Sequence, residues 1–351
     1  MNDVSAAGEW KILSAVENFA KYCDAWDELN RRCFKGHPLG DACFVEPLLH
    51  FFGTARDYLA VLEEGENYRG MLLLTSSRFG VVGSFCPSQT ELCPVLVESL
   101  DSLQTLIDKF PYSNLALQLY RQDPDYSVFP AGETSLVHDI DGAVSTVTVD
   151  LQGDFESYWR ARSSKLRKNI GRLLRIMATP TFDWRFSAVE APGDVEAAVD
   201  RYGDLEVLGW KQAEGTAVHS SNEQGRFYRE MIRRFAERGR AVIYELYFGD
   251  TLVSSQMAIG NDTILITLKT TYNEEFSQYS PGKLLDYCMI EYEFQQRRYE
   301  LIEFCTNAAH ELIRWGTSTR PVSSVTIYRN RLAQGGTGVY RGLKQMGQPA
   351  G

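Results

Sequence analysis

The fold is decided by the stretch Thr263-Ile-Leu-Ile-Thr-Leu-Lys-Thr270, which continues as Thr271-Tyr-Asn-Glu-Glu-Phe-Ser-Gln-Tyr279 and Ser280-Pro-Gly-Lys-Leu-Leu285. Its first part is rich in β-branched and apolar residues, which predicts a buried strand. The second part is polar and predicts a loop, and Ser280 with Pro281 predicts the N-cap and first turn of a helix. A strand that leads through a loop into a helix points backbone N–H groups at one spot, which suits a phosphate or pyrophosphate. The alternative is that Ser-Pro only starts a helix.

The residues on either side of this stretch predict a mixed α/β region. Ala241–Phe248 and Leu252–Ile259 read as two strands joined by the hairpin signal Gly249-Asp250. Leu301–Cys305 and Val322–Arg329 read as further strands. Three helices are expected before the hairpin, the first capped by Asp154. Their apolar stripes are Trp159, Leu166, Ile170, Leu173 and Met177, then Val195, Ala198, Val199, Tyr202 and Leu205, then Phe227, Met231 and Phe235.

The first half of the chain follows a similar plan more loosely. Its expected elements are helices at Ala25–Phe34 and Val97–Phe110 and strands at Tyr58–Leu62, Met71–Leu74 and Asn114–Tyr120. The turn-rich stretch Asp123–Asp150 separates this half from the second. We therefore expect two domains, residues 1–144 and 145–351.

Length, charge and cysteine usage limit the class of protein. The 351 residues, 44% of them hydrophobic, suit one large or two ordinary globular domains. No run is long enough to span a membrane, and residues 1–10 lack the apolar core of a signal peptide. The seven cysteines form no CxxC pair, and His219 and His310 lack partners at metal or triad spacing. We expect reduced thiols, a cytoplasmic protein and no metal.

The net charge of −10 argues against general nucleic-acid binding. One segment of the chain is, however, strongly basic. Seven cations and no acid lie between Arg160 and Arg175, and without them the remaining charge would be −17. The segment could contact a phosphate-bearing acceptor such as a nucleotide-sugar or a lipid-linked sugar. The alternative is an amphipathic helix whose cationic face is simply solvated.

Three motifs carry a resemblance to a known family. They are the basic helix Ser157–Arg172, the run Leu205-Glu-Val-Leu-Gly-Trp-Lys211 with Gly215-Thr216 beyond it, and Tyr279-Ser-Pro-Gly-Lys-Leu-Leu285 after its strand. In this order, across residues 145 to 340, they resemble the FemAB-like, CelD/BcsL-type branch of the GNAT N-acyltransferase superfamily. The resemblance implies an α/β protein of two GNAT-like halves, with mixed, mostly antiparallel sheets flanked by helices. The N-terminal half would be the degenerate one.

The resemblance also implies acyl-coenzyme A (acyl-CoA) as co-substrate, bound where the strand crosses into the helix. The cofactor-binding residues it implies are Lys269, Gln278, Ser280, Gly282, Lys283 and Leu284. Pro281 stands where the family tends to have a glycine and removes one donor amide. Lys269 could instead be a strand-end lysine that reaches solvent.

Other residues are candidates for the chemistry. Glu206 could accept a proton from the attacking amine, or it could be a solvated helix carboxylate. Tyr272 or Tyr279 could protonate the leaving thiolate, or each could pack as an aromatic residue. The substrate-binding candidates are Trp210, Lys211, Arg167, Glu303 and Arg314. Trp210 could equally be a core residue. The resembled branch tends to have a Tyr-Lys pair before the tryptophan that corresponds to Trp315, and that pair is absent here.

The resemblance implies transfer of an acyl group to an amine, on an amino sugar, an amino acid or a polysaccharide precursor. The acceptor would be a small molecule or a sugar-linked amine. A hydroxyl group is the alternative acceptor. One alternative is FemAB-type aminoacyl transfer from charged tRNA, although the acidic balance of the chain disfavours it. The other is a catalytically silent GNAT-fold binding protein.

Overall fold

The computed structural model describes residues 8–76, 80–128, 134–208, 218–305 and 310–335. The chain divides into two compact units. The first unit is Met1–Val144 with Pro321–Gly351, and the second unit is Ser145–Arg320. The expected first domain ends at the same residue as the N-terminal part of the first unit. The expected second domain ran to residue 351, whereas the second unit ends at Arg320.

The first unit has a sheet with short helices. Its helices are α1 Ala15–Asn18, α2 Cys23–Cys33, α3 Ala42–Phe52 and α4 Ser102–Ile107. Its strands are β1 Glu9–Ser14, β2 Asp57–Glu64, β3 Asn67–Ser76, β4 Val81–Ser84, β5 Val95–Val97 and β6 Ala116–Gln122, with parts of β7 His138–Asp150 and β13 Ser318–Tyr328.

The strand order in the first unit is β1-β2-β3-β4-β6-β13, and β5 pairs with β3. All of these pairs are antiparallel except β4 with β6. The core of this unit includes the fully buried Leu117, Leu119 and Ile327. One expectation here was wrong: Val97 ends a strand, and the helix expected from there begins only at Ser102.

The second unit contains the segment from Thr263 to Leu285. Its helices are α5 Phe155–Ala161, α6 Ser164–Met177, α7 Pro192–Val207, α8 Glu223–Glu237, α9 Pro281–Gln296 and α10 His310–Ile313. Its strands are the end of β7 with β8 Trp184–Val189, β9 Ala241–Phe248, β10 Thr251–Gly260, β11 Ile264–Tyr272 and β12 Leu301–Glu303.

The strand order in the second unit is β7-β12-β11-β10-β9-β8. Among the described strands in this order, only β11 and β12 pair in parallel, because α9 carries the chain from one to the other. Helices α5, α6 and α9 supply apolar side chains to one core, which includes the fully buried Ile170, Leu265 and Met289. The expected fold class, with mixed and mostly antiparallel sheets flanked by helices, is confirmed.

The expected basic helix is in fact two helices. The Asp154 carboxylate accepts the Ser157 N–H at 2.7 Å and caps α5, which ends at Ala161. Ser163 then caps α6 by accepting the Leu166 N–H at 3.3 Å. The break occurs because Arg162 and Ser163 both leave the helical conformation, with ψ of 158° and 143°.

Two absences hold for the described part of the chain. No helix in it is long and apolar enough to cross a membrane. No group of three or more His, Cys, Asp or Glu side chains in it is arranged to hold a metal ion. The seven cysteines are free thiols.

Candidate functional site

The parallel strands β11 and β12 pair over three residues and then separate. Their register runs from Ile264 opposite Leu301 to Ile266 opposite Glu303, and β11 then continues alone to Tyr272. One edge of β11 beyond Ile266 is therefore not paired with β12. A strand edge of this kind offers backbone donors and acceptors to an extended ligand.

A bulge lies in β11 at the point of parting. Ala258 of β10 is opposite Thr267, whereas the preceding Met257 is opposite Lys269, so Leu268 is the extra residue. A bulge disrupts the ladder locally and re-aims the side chains that follow it. The opening between β11 and β12 thus coincides with a built-in change in the direction of β11.

The helix that follows begins as the sequence predicted, but with fewer available amides. Pro281 is the first residue of α9, and Ser280 before it has φ of 47° and makes no side-chain cap. The Lys283 and Leu284 N–H groups both donate to the Ser280 carbonyl, at 3.0 and 3.2 Å. These two were expected to be free donors for a pyrophosphate. The amide of Gly282 and the positive end of the helix dipole remain available to an anionic ligand.

The expected loop before α9 is more ordered than its composition indicates. Strand β11 takes up residues as far as Tyr272, and Glu274–Tyr279 forms a 3₁₀-helix with Gln278 exposed on it. Lys283 forms an ion pair of 2.8 Å with Glu311 of α10. An anionic ligand at this helix end would compete with Glu311 for the lysine.

The two candidate tyrosines have different surroundings. Tyr279 packs edge-on against Phe182 and Phe248, with ring centroids 5.4 and 5.6 Å apart. Tyr272 is 43% exposed, and a Cβ added at Gly282 would lie 3.8 Å from its Cδ1 atom. Tyr272 therefore stands beside the start of α9, while Tyr279 belongs to an aromatic cluster.

Glu206 lies near the end of α7 and is buried, with 2% of its surface exposed. It accepts the Val218 N–H at 2.6 Å and the Tyr202 hydroxyl at 3.2 Å. Burial, and after it the neighbouring Glu206 carboxylate, raises the pKa of Tyr202 well above its ordinary value, so this hydroxyl stays a donor. The alternative of a solvated helix carboxylate is wrong.

Two glycines make room for the backbone that Glu206 holds. A Cβ at Gly203 of α7 would lie 2.5 Å from the Val218 carbonyl oxygen. A Cβ at Gly225 of α8 would lie within covalent range of the His219 carbonyl. Residues 218–220 therefore run tightly between the two helices, which fixes the Glu206 carboxylate in place.

Helices α7 and α8 place these groups over the sheet face that carries Lys269. Glu245, Ser255 and Thr271 lie directly opposite one another on β9, β10 and β11. Lys269, two residues before Thr271, shares their face. Arg201 of α7 binds the buried Glu245 carboxylate with two bonds of 2.9 and 3.0 Å, which fastens α7 to this face.

Tyr228 of α8 connects the two halves of the candidate site. The Lys269 ammonium lies 6.0 Å from the centre of its ring. Tyr228 is also close enough to Tyr202, the partner of Glu206, to raise the pKa of that tyrosine. Tyr202 and Tyr228 thus link the predicted residues Glu206 and Lys269 to one another.

Four of the predicted substrate-binding residues are not among the contacts described above. Two of them lie outside the described residues, and two are at least partly exposed on other elements. Trp210 and Lys211 are the two outside the described residues. Arg167 is exposed on α6, and Arg314 is partly exposed next to the buried Trp315.

The fifth predicted substrate-binding residue, Glu303, is fully buried and makes internal contacts. Its carboxylate accepts the Thr146 hydroxyl at 2.7 Å and pairs with Arg320 at 2.5 Å. The backbone of Glu303 is also the last paired residue of β12. Its side chain stabilises the base of the opening.

One titratable residue that the sequence reasoning missed lies on α9. Asp286 is buried, and burial raises the pKa of its carboxyl to about 7. Nearby Lys283 opposes this shift, and Glu311 adds to it. An acid inside the apolar run Leu284–Met289 was the signal that could have found it.

Comparison with known proteins agrees with this geometry. Residues 164–311 match the family model described as acetyltransferase (GNAT) domain. No curated protein matches the sequence.

Solved structures share the fold at low identity. FemX is 10% identical with a TM-score of 0.54, over 88% of this chain and 97% of its own. The C-terminal domain of a protein assigned as lysylphosphatidylglycerol synthetase, from Agrobacterium fabrum, is 10% identical with a TM-score of 0.57, over 90% and 93% of the two chains. L-PGS from Bacillus licheniformis is 14% identical with a TM-score of 0.50, over 88% and 92%.

The matched residues 164–311 contain every element of the site, from α6 through β11 and α9 to β12. The resemblance to GNAT proteins is thereby confirmed. Residues 164–311, within the second unit, thus match a GNAT acetyltransferase domain, and the chain shares its fold with FemX.

Proposed function

We propose that the second unit transfers an acyl group from acyl-CoA to an amine. The observation that carries this proposal is the opening between β11 and β12, with the bulge at Leu268 on one side and the start of α9 beyond it. The unpaired edge of β11 suits an extended pantetheine-like chain, which can hydrogen-bond to a strand edge as another strand does. The positive end of α9 suits its phosphate end.

The residues around the opening can each take one part of the reaction. Acyl-CoA supplies a thioester whose carbonyl carbon the amine nitrogen attacks, and the C–S bond breaks. Glu206 takes the proton that the amine must lose, directly or through one water. Tyr272, beside Gly282, gives a proton to the departing sulfur. Lys269 holds an anionic or polar part of the acceptor, which we propose to be an amino sugar, an amino acid or a polysaccharide precursor.

A titration with acetyl-CoA in which the unfolding temperature is measured at each concentration tests this proposal. A ligand at a hundred times its dissociation constant stabilises a protein by about 2.7 kcal/mol. The native chain should show such a shift and Gly282→Trp should not, since an indole there would fill the start of α9 next to Tyr272. Gly193→Trp is the matched control, because a Cβ added at Gly193 meets nothing within 4 Å. No shift at millimolar acetyl-CoA would contradict the proposal.

A second candidate is aminoacyl transfer, and one observation favours it. Pro281 has no N–H, and the Lys283 and Leu284 amides are already bonded to Ser280, so α9 offers less to a pyrophosphate than the sequence predicted. A donor such as an aminoacyl-tRNA ester does not need that site. Transfer from aminoacyl-tRNA without any response to acetyl-CoA would select this reaction. No turnover with either donor would leave a catalytically silent binding protein.

A further inference from the structure

Helix α6 presents a row of cations that the proposed reaction does not use. Its apolar side chains Leu166, Ile170, Leu173 and Met177 are buried in the second unit. Its cationic side chains are all exposed: Lys165, Arg167, Lys168, Arg172 and Arg175. The net charge of −10 would be −15 without these five positive charges, so the helix concentrates charge of the opposite sign to the whole.

The cations of α6 have no acidic partner among the described residues. On α8, by contrast, Arg229 pairs with Glu196 and Asp200, and Arg233 and Arg234 pair with Glu230. Two of the seven cations between Arg160 and Arg175 lie outside α6, and both have partners. Arg160 faces Glu156, and Arg162 donates to the Trp315 carbonyl.

The side-chain bonds that the α6 cations do make leave their charged ends free. Arg167 donates its Nε to the Arg162 carbonyl, at 3.1 Å, and Arg175 donates its Nε to the Gly171 carbonyl, at 3.1 Å. In both cases the terminal guanidinium nitrogens remain available. Lys168 and Arg172 are exposed neighbours in the same row.

The spacing of the row decides what it can bind. Lys165, Lys168, Arg172 and Arg175 follow each other at intervals of three, four and three residues, on the side of α6 opposite its apolar stripe. At about 1.5 Å per residue, the row is about 15 Å long. A single phosphate would touch one or two of these side chains, whereas a flat anionic surface would meet all four.

A lipid surface fits this row better than a nucleic acid does. Proteins that bind single-stranded nucleic acid combine cations with exposed aromatic side chains for base stacking, and α6 has no aromatic residue. The positive charge is also confined to one helix of an acidic chain, which disfavours a long polyanion that would run past it. Clusters of four to eight lysines and arginines on an amphipathic helix are typical of anionic-lipid binding.

We propose that α6 docks this protein on an anionic lipid surface, through Lys165, Lys168, Arg172 and Arg175. The buried apolar side of α6 holds the helix to the second unit, and the charged side lies against the headgroups. The contact is electrostatic and peripheral, since Leu166, Ile170, Leu173 and Met177 are already packed in the core.

Co-sedimentation of the full chain with vesicles tests the proposal. The chain should bind vesicles of equal parts phosphatidylglycerol and phosphatidylcholine, should not bind pure phosphatidylcholine, and should dissociate as salt is added. Replacing all four residues by glutamine should lower the partition coefficient on the order of a hundredfold or more, since each cation contributes roughly fivefold. Thermal unfolding of the variant should match that of the native chain, because the four side chains are exposed.

A matched variant separates α6 from charge in general. Arg56, Arg226, Arg297 and Arg331 are exposed cations on other segments, and their replacement by glutamine makes the same change in net charge. This control should bind the anionic vesicles like the native chain. Equal loss in both variants would overturn the assignment to α6. Binding of RNA that the α6 variant loses, with no vesicle binding by the native chain, would overturn the lipid surface as the partner.

Discussion

At the scale of single residues, Glu206 is the side chain on which the proposed chemistry depends. Glu206→Gln keeps an oxygen that can accept the Val218 N–H but cannot take up a proton. Loss of a general base typically costs about 10²- to 10⁴-fold in rate. We expect kcat to fall in that range while the affinity for the acyl donor is unchanged, as measured by steady-state kinetics and a donor titration.

The control for this substitution is Tyr202→Phe. It removes the 3.2 Å hydrogen bond to Glu206 but leaves the carboxylate. Its effect on kcat should be much smaller than that of Glu206→Gln. Unchanged turnover in Glu206→Gln would remove Glu206 as the base and leave it as the residue that holds Val218.

Asp286 is a second residue with a measurable consequence, here for stability. Burial raises the pKa of its carboxyl to about 7 in the folded chain, against about 3.9 in an unfolded one. The folded state therefore binds more protons between these values, and the free energy of unfolding should fall as pH rises from about 4 to about 7. The full loss is at most about 4 kcal/mol, since each pKa unit corresponds to about 1.4 kcal/mol.

Asp286→Asn should remove that part of the pH dependence. Its neutral amide resembles the protonated acid, so the variant should match the native chain near pH 4.5 and be more stable than it at pH 8. Urea unfolding at the two pH values measures the difference. A stability difference that is the same at both pH values would mean that the pKa of Asp286 is not raised in the folded chain.

At the scale of elements, the packing of α7 against α8 positions the candidate base. Gly225→Ala would place a methyl group on the His219 carbonyl and push residues 218–220 away from Glu206. We expect a loss of about 1–3 kcal/mol in the free energy of unfolding, as for overpacked sites, together with reduced turnover. Denaturant unfolding and kinetics on the same preparation measure both.

Gly171→Ala on α6 is the matched control for Gly225→Ala. A Cβ at Gly171 meets nothing within 4 Å, so alanine should stabilise α6 by about 0.5–1 kcal/mol. If Gly225→Ala is as well tolerated as Gly171→Ala, then the close approach of His219 is not needed to hold the site.

The elements show which parts of the fold a sequence pattern can predict. The apolar spacing of Val195, Ala198, Val199, Tyr202 and Leu205 predicted α7 correctly, because one buried helix face repeats with the period of the helix. Gly249-Asp250 predicted the hairpin between β9 and β10, because its geometry is local. Both features depend on neighbours in the chain.

Features that depend on distant residues were missed. The buried position of Glu303 follows from Thr146 and Arg320, which are far from it in sequence. The Lys283 and Leu284 amides were missed for a local reason, because both donate to the Ser280 carbonyl in the first turn of α9. The start of α9 at Pro281 was therefore predicted from the sequence, but the hydrogen bonds of its first turn were not.

At the scale of the whole molecule, the two units have separate cores. Ile327 is fully buried in the core of the first unit, and Ile302 is fully buried in that of the second. We propose that the units are domains that open independently. Replacement of a buried isoleucine by alanine typically costs about 2–5 kcal/mol, so each core can be weakened by a substitution of the same kind.

Hydrogen exchange followed by mass spectrometry can then locate the effect of each substitution. Ile327→Ala should lower the protection of peptides from β3 and β6 and spare those from β10 and β11, whereas Ile302→Ala should do the reverse. Because the elements of the proposed acyl-donor site all lie in the second unit, Ile327→Ala should also keep the thermal response to acetyl-CoA. Equal loss of protection in both units from either substitution would show that the chain opens as one body and that the division into two domains is wrong.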